Sequence, residues 1–442
     1  MIIKRRRFLG QVAALAGGRV LIALGGVGAD EAFAASDTGG TTTAVSANTA
    51  VSTDGAVIPS ATAIVDRLHN VWTVKSGFVY KNGVRDKDSY NVSLLLWYGG
   101  MIYQCGTGGQ FYVMTWANRW LPCRDPRIPM SVPAGAFYGI NGHHDYPFTP
   151  QQIISTLQAL GCTSYRVGCI ATDAQLKPMI ALADAFRSVG FTLLPLLNYG
   201  LRDSNGNLYA SERDAYVANR AGAAAVARVL GPHGITMYEC GNELTRDRAI
   251  ILDSKQAGTG PHDFNNTHWP ILRGAIQGMI DGVKSVQPSA KCAVNFTVAD
   301  IGASDLLWDG EQPDGSGGYR KMRWDITTWH NYQPYGDIFQ IGIDGAGPGF
   351  NLPAYCKARY GVPFMITEWN AAPEEDEQFR AAYVQQKLQR FYAARKNEGI
   401  QAVMYYDLLS GDQTFGIVMN DLAPIKPTHT AFSAFTASNA DQ

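Results

Sequence analysis

Net charge is almost absent: 37 Lys and Arg face 38 Asp and Glu, leaving −1 over 442 residues. Nothing in that balance favours a nucleic-acid or anionic-membrane partner. No Cys-x-x-Cys and no His-Glu-x-x-His occurs, so no zinc site is signalled. Seven cysteines are an odd number and cannot form a complete disulfide framework. Past residue 34 no stretch is long and apolar enough to span a bilayer. No Gly-rich phosphate loop follows an early strand, which argues against a doubly wound nucleotide-binding sheet. These absences lead us to expect neither a metal nor an organic cofactor.

What charge asymmetry exists lies at the start. Lys4, Arg5, Arg6 and Arg7 precede Phe8, Leu9 and a Gly/Ala-rich apolar stretch, and Ala32-Phe33-Ala34 offers the small residues a signal peptidase reads. Residues 1–34 are therefore expected to be an export signal of twin-arginine type, giving a periplasmic or secreted protein. Arg19 interrupts the apolar stretch and argues against a lasting membrane anchor. Residues 35–56 are rich in Ser, Thr, Gly and Ala and read as a flexible linker. Residues 57–130 read as a small antiparallel β domain: short β runs alternate with turn signals such as Asn82-Gly83. Its Trp72, Trp97, Trp116 and Trp120 suit either a sugar-binding face or a small core. Cys105 and Cys123 fall in the same region and can pair in an oxidising compartment. The other cysteines near predicted strands read as small buried hydrophobes.

From 131 to 442 the rhythm changes to short apolar strands alternating with amphipathic helices. Strands are expected at 137–141, 164–169, 191–197, 235–239, 292–296, 325–329, 363–367 and 402–406. Thr149-Pro150 supplies a cap and a first-turn proline for one helix, and Gly190 ends another. Eight such strands with helical connections predict a (β/α)₈ barrel. The Gly- and Asp-rich stretch 300–323 is the weakest helical connection.

Barrel active sites sit at the carboxyl ends of the strands. The fourth strand runs into Glu239-Cys240-Gly241-Asn242-Glu243 and the seventh into Thr367-Glu368-Trp369-Asn370. Each apolar strand thus delivers a carboxylate to the mouth. Two carboxylates facing across a cleft are what glycoside hydrolysis needs, one protonated and one ionised, about 5–5.5 Å apart for the retaining route. Burial and repulsion are expected to raise the acid, while hydrogen bonds hold the nucleophile ionised.

Gly241-Asn242-Glu243 and Thr367-Glu368-Trp369 resemble the paired signatures of clan A glycoside hydrolases. Among these the resemblance is to family 39 and bacterial exopolysaccharide glycosidases, with family 5 close behind. It covers the barrel to about residue 436. Asn242-Glu243-Leu244 departs from the common Asn-Glu-Pro, a position that does no chemistry. The resemblance implies Glu243 as acid/base and Glu368 as nucleophile. It implies Asn242 on the sugar 2-hydroxyl, Arg166 against the nucleophile, and His330 and Tyr332 after the sixth strand.

Further candidates for the cleft are His143 after the first strand, Asn198 and Tyr199 after the third, and Tyr405, Tyr406 and Asp407 after the eighth. Trp369, Tyr405 or Tyr406 suits a stacking platform as well as packing. Glu239 points opposite to Cys240 and reads as a buried paired group. A metal site from His143, His144 and Asp145 is disfavoured, since adjacent side chains rarely converge on one ion. The expected function is an exported retaining β-glycosidase acting on an oligo- or polysaccharide. The alternatives are a non-catalytic carbohydrate-binding or cell-surface protein, and a transglycosylase that uses the same residues. Oligomeric state leaves no trace in the sequence.

Overall fold

Short alternating runs separated by tight turns build the N-terminal region. A computed structural model describes residues 50–130, 135–342, 349–409, 415–424 and 426–441. The expected export signal (1–34) and the linker up to residue 49 lie outside the described residues. The strands are β1 (Val57–Ile58), β2 (Ile64–Val65), β3 (Val71–Lys75), β4 (Phe78–Lys81), β5 (Val84–Arg85), β6 (Val92–Tyr98), β7 (Met101–Gly106), β8 (Phe111–Met114) and β9 (Trp120–Cys123). They form two antiparallel sheets, ordered β1-β6-β7-β8-β9 and β2-β3-β4-β5. Ser76-Gly77 and Asn82-Gly83 both take positive φ at the two central turn positions, the geometry that matches strand twist in a two-residue hairpin.

Two sequence expectations change here, and for two tryptophans the core reading holds. Residues 50–56 are not free: the Ser52 and Gly55 amides donate to the carbonyls of Val65 and Trp97, and Asp54 Oδ1 accepts from the Gly99 amide. Cys105 and Cys123 both lie opposite Phe111, on either side of β8. Two strand spacings, about 9–10 Å, exceed the reach of a disulfide, and both thiols are free and buried. Trp72 and Trp97 are buried with Ile64, Val79 and Leu95, so they fill the small core and present no open face. Trp116 packs on Phe350 of the barrel region, with ring centroids 5.9 Å apart.

The barrel strands are β10 (Tyr138–Gly142), β11 (Ser164–Cys169), β12 (Thr192–Leu197), β13 (Met237–Cys240), β14 (Lys291–Thr297), β15 (Ile326–His330), β16 (Phe364–Trp369) and β17 (Ile400–Tyr405). All neighbours are parallel and β10 closes on β17, so the architecture is a (β/α)₈ barrel carrying a small N-terminal β region. The helix Pro150–Ala159 begins as its sequence requires. Thr149 Oγ1 accepts from the Gln152 amide, and Gln152 Oε1 accepts from the Thr149 amide. Helices Glu212–Leu230 and Trp269–Val286 pack unusually close. Gly274, Gly278 and Gly282 make this possible, because a Cβ on each would come within 2.2, 2.5 and 2.4 Å of the carbonyls of Glu212, Tyr216 and Arg220.

The stretch after residue 300 does form a helix, Ile301–Asp309, and a further helix, Leu352–Tyr360, precedes β16. Sequence reading gives no sign of the second because all nine of its residues are buried. It is covered by the barrel on one side and by the β region on the other, where the Arg124 amide donates to the Ala358 carbonyl. Without a wet face there is no 3.6-residue polar stripe to find.

Inside the barrel, Leu194, Ala293, Ile326, Met365, Ala402 and Met404 form a dry floor. Polar side chains replace them one layer higher, toward the carboxyl ends of the strands.

Candidate active site

The inward positions of that higher layer are Asn141, Arg166, Glu239, Asn295, Thr328 and Thr367, all buried. Arg166 is its hub. Its Nε donates to Glu239 and its Nη1 to Glu368 Oε1 at 2.6 Å and Asn141 Oδ1 at 2.9 Å. Its Nη2 donates to Asn242 Oδ1 at 2.7 Å. Burial works against the Arg166 charge, but the Glu239 and Glu368 carboxylates outweigh it and hold the guanidinium well above its ordinary range.

Strict alternation along β16 would send Met365, Thr367 and Trp369 to one face and Glu368 to the other. The pairing shifts instead: His330 opposes Glu368, and register slips between Ile366 and Trp369. This β-bulge lets both Thr367 and Glu368 face inward, and turns Trp369 outward. Thr367 Oγ1 donates to Glu239 Oε1 at 2.8 Å. Trp369 is wholly buried among Phe391, Tyr405 and Phe432 in the layer behind the barrel wall. The expectation of a sugar contact at Trp369 is therefore corrected: the ring is packing, and so is Tyr405.

Glu368 Oε2 accepts from the Tyr332 hydroxyl at 2.7 Å. Burial, together with the Glu368 charge, pushes the Tyr332 phenol well up, so it stays a donor. Tyr332 is held edge-on by Tyr335, Tyr406 and Phe415. Tyr406 thus lies in the cleft wall.

Glu243 is reached by an unusual backbone. After β13, Gly241 has φ +82° and Glu243 itself takes φ 47°, ψ 36°, a left-handed conformation that costs a non-glycine residue about 1 kcal/mol or more. The Glu243 amide is pinned by Asn295 Oδ1 at 2.7 Å. His330 Nδ1 lies 2.9 Å from Glu243 Oε1, while its Nε2 lies 3.5 Å from Glu368 Oε1. One imidazole therefore touches both carboxyl groups, which belong to segments more than a hundred residues apart.

The expectation that Glu243 is raised is not met. Burial raises it, but the hydrogen bond and charge of His330, a Thr297 hydrogen bond and Arg246 more than reverse that, leaving the carboxyl below its ordinary range. Beside it, burial pushes Asp300 up to about 6 against the opposing charge of Arg246. Arg246 also donates to the carbonyls of Gln256 and Ala257, fastening the 247–265 loop to the cleft edge.

The remaining candidates scatter. His143 is half exposed, with Nε2 3.7 Å from Asp407 Oδ2. Asn198 is exposed beyond β12. Tyr199 turns away from the cleft: its hydroxyl accepts from the Ala171 amide, and its ring lies against Gly222. Sequence reasoning missed Asn141 and Asn295. Their signal was a lone amide near the carboxyl end of an apolar strand. Among the described residues no group of three or more His, Cys, Asp or Glu is placed to hold a metal ion.

No protein-family model matches this sequence, and no curated protein is similar to it. Solved structures are similar in fold. A β-glycosidase from Pyrococcus horikoshii is 14% identical with a TM-score of 0.51, over 71% of this chain and 96% of that one. A family 39 glycoside hydrolase from Bacteroides cellulosilyticus WH2 is 14% identical over 81% and 73% of the two chains, with a TM-score of 0.48. The virulence factor SghA of Agrobacterium tumefaciens is 14% identical over 69% and 97%, with a TM-score of 0.49. What these structures share with this chain is the (β/α)₈ barrel. At this identity the likeness concerns the fold, and the chemistry rests on the site itself.

Proposed function

We propose that this chain is a retaining β-glycosidase acting on an oligo- or polysaccharide, with Glu368 as nucleophile and Glu243 as acid/base. One observation carries the proposal: a single imidazole touches both carboxyl groups at the carboxyl end of the barrel, with Arg166 and Tyr332 fixing one of them. The two groups have different partners. Glu368 has a cation and a hydroxyl donor, as an attacking anion needs. Glu243 stands across the cleft with Oε1 2.9 Å from His330 Nδ1, partly open to the cleft where a leaving oxygen or a water would come.

In this reading Glu368 attacks the anomeric carbon as Glu243 protonates the leaving oxygen. Glu243 then deprotonates the water that releases the sugar. Asn242, fixed by Arg166, is the candidate contact for the 2-hydroxyl. Export to the periplasm or beyond is supported by the basic N-terminal sequence Lys4–Arg7 and the apolar stretch after it.

The test is a panel of aryl β-glycosides and polysaccharides assayed for released sugar. Glu368→Ala is expected to abolish turnover with the circular dichroism unchanged. Glu243→Ala is expected to slow poor leaving groups by roughly 10²–10⁴-fold and activated aryl glycosides far less. Retention of most activity in Glu368→Ala, or equal losses across leaving groups in Glu243→Ala, would contradict the assigned roles.

A further inference from the structure

Glu239 never reaches the cleft. It is fully buried under Arg166, and the proposed reaction gives it no step. It is nonetheless one of two carboxylates on a single guanidinium. Two consequences follow from the geometry. The guanidinium is flat, so a carboxylate on Nε fixes where both Nη groups point. Those groups hold Glu368, Asn141 and Asn242. The second consequence concerns charge. The Glu239 carboxylate sits on the same cation, so its negative charge offsets part of the Arg166 field felt by Glu368. With the whole charge, the Glu368 anion would be held more firmly and would attack less readily.

We propose that Glu239 is a positioning residue for Glu368: it locks the plane of Arg166 and takes a share of its charge, leaving the nucleophile ionised but reactive. The word nucleophile rests on the glycosidase reading; the sharing of charge does not.

Glu239 is equipped to stay ionised. Burial raises its carboxyl, but the Arg166 and His330 charges and the hydrogen bond from Thr367 bring it below its ordinary range. The charged and titratable groups around Glu368 come from every side. They are Arg166 on β11, Glu243 beyond β13, His330 on β15, Tyr332 and Tyr335 just after it, and Tyr406 and Asp407 beyond β17. Glu239 differs from these in that it meets Glu368 chiefly across Arg166, which contacts both carboxylates.

The decisive variant is Glu239→Gln, which keeps an acceptor for Nε and removes the charge. The protein is labelled with ¹³C at the Glu carboxyl carbons and titrated by NMR, and the Glu368 signal is assigned by its loss in Glu368→Gln. In Glu239→Gln the Glu368 carboxyl is expected to lose its proton at a pH roughly one unit lower than in the parent protein. The acid limb of kcat/KM is expected to move the same way, and kcat to fall roughly tenfold with KM little changed. A merely structural role would lower the melting temperature and leave both titrations where they were, and that result overturns the proposal. If Glu239→Gln does not fold, Glu239→Asp is read instead. The shorter side chain keeps the charge but cannot hold Nε, so kcat is expected to fall with the Glu368 midpoint near the parent's, and an unchanged kcat overturns the proposal. Should the parent protein cleave no glycoside, the glycosidase reading fails while the NMR titration still decides the role of Glu239.

Discussion

Replacing Arg166 by Met tests the electrostatic account of the site most directly. The side chain is 4% exposed and binds two carboxylates that are 0% and 3% exposed. Met fills much of the volume but leaves both carboxylates buried without their cation. Breaking one buried pair in this way typically costs about 3–5 kcal/mol. Because a second carboxylate is stranded as well, we expect a loss at or above the upper end of that range at pH 7.5. The sign of the pH dependence follows from Glu239. Its folded-state carboxyl is depressed in the parent protein, so it contributes stability above the ordinary carboxylate range that is lost as pH falls through the folded value. In Arg166→Met the same group is buried and unpaired. It is then raised, and its penalty is relieved as pH falls. The gap between the two proteins should therefore narrow steadily from pH 7.5 toward pH 4. Guanidinium denaturation followed by tryptophan fluorescence at several pH values measures this. Arg119→Met is the control, since its bridge to Glu311 sits at the surface with the arginine half exposed, and its loss should cost under about 1 kcal/mol. A loss for Arg166→Met as small as the control's, or one that does not change with pH, would refute the reasoning.

Tyr332→Phe keeps the ring that packs on Tyr335, Tyr406 and Phe415 but deletes the donor to Glu368. A hydrogen bond to a charged group is worth about 1.5–3 kcal/mol, so kcat/KM should fall roughly 10- to 100-fold with the circular dichroism unchanged. Gly278→Ala would place a Cβ 2.5 Å from the Tyr216 carbonyl, between two helices held by backbone contact. Overpacking of this kind costs about 1–3 kcal/mol and should lower the melting temperature with active-site kinetics unchanged, because the contact lies outside the barrel wall.

Much of this protein is written in local pattern. Apolar runs of strand length, separated by helices with their caps and terminal glycines, give eight β/α units. Once those are counted, the rule that barrel sites lie at the carboxyl ends of strands points to Glu243 and Glu368; Arg166, His330 and Tyr332 come only from the resemblance to clan A glycoside hydrolases. Pattern is silent where a residue's direction depends on something distant. The bulge in β16 is visible only in its pairing with β15 and β17, and it decides that Glu368 faces the cleft while Trp369 packs behind it. The left-handed turn at Glu243 is held by Asn295 from the next strand. The helix Leu352–Tyr360 lacks a polar stripe because both its sides are covered by other parts of the fold. The sharing of one arginine by Glu239 and Glu368 exists only when β11, β13 and β16 close round the same axis. Periodicity along a chain records which residues avoid water; which of them meet, and with what charge between them, is set by contacts between segments far apart in sequence, and those only the closed barrel decides.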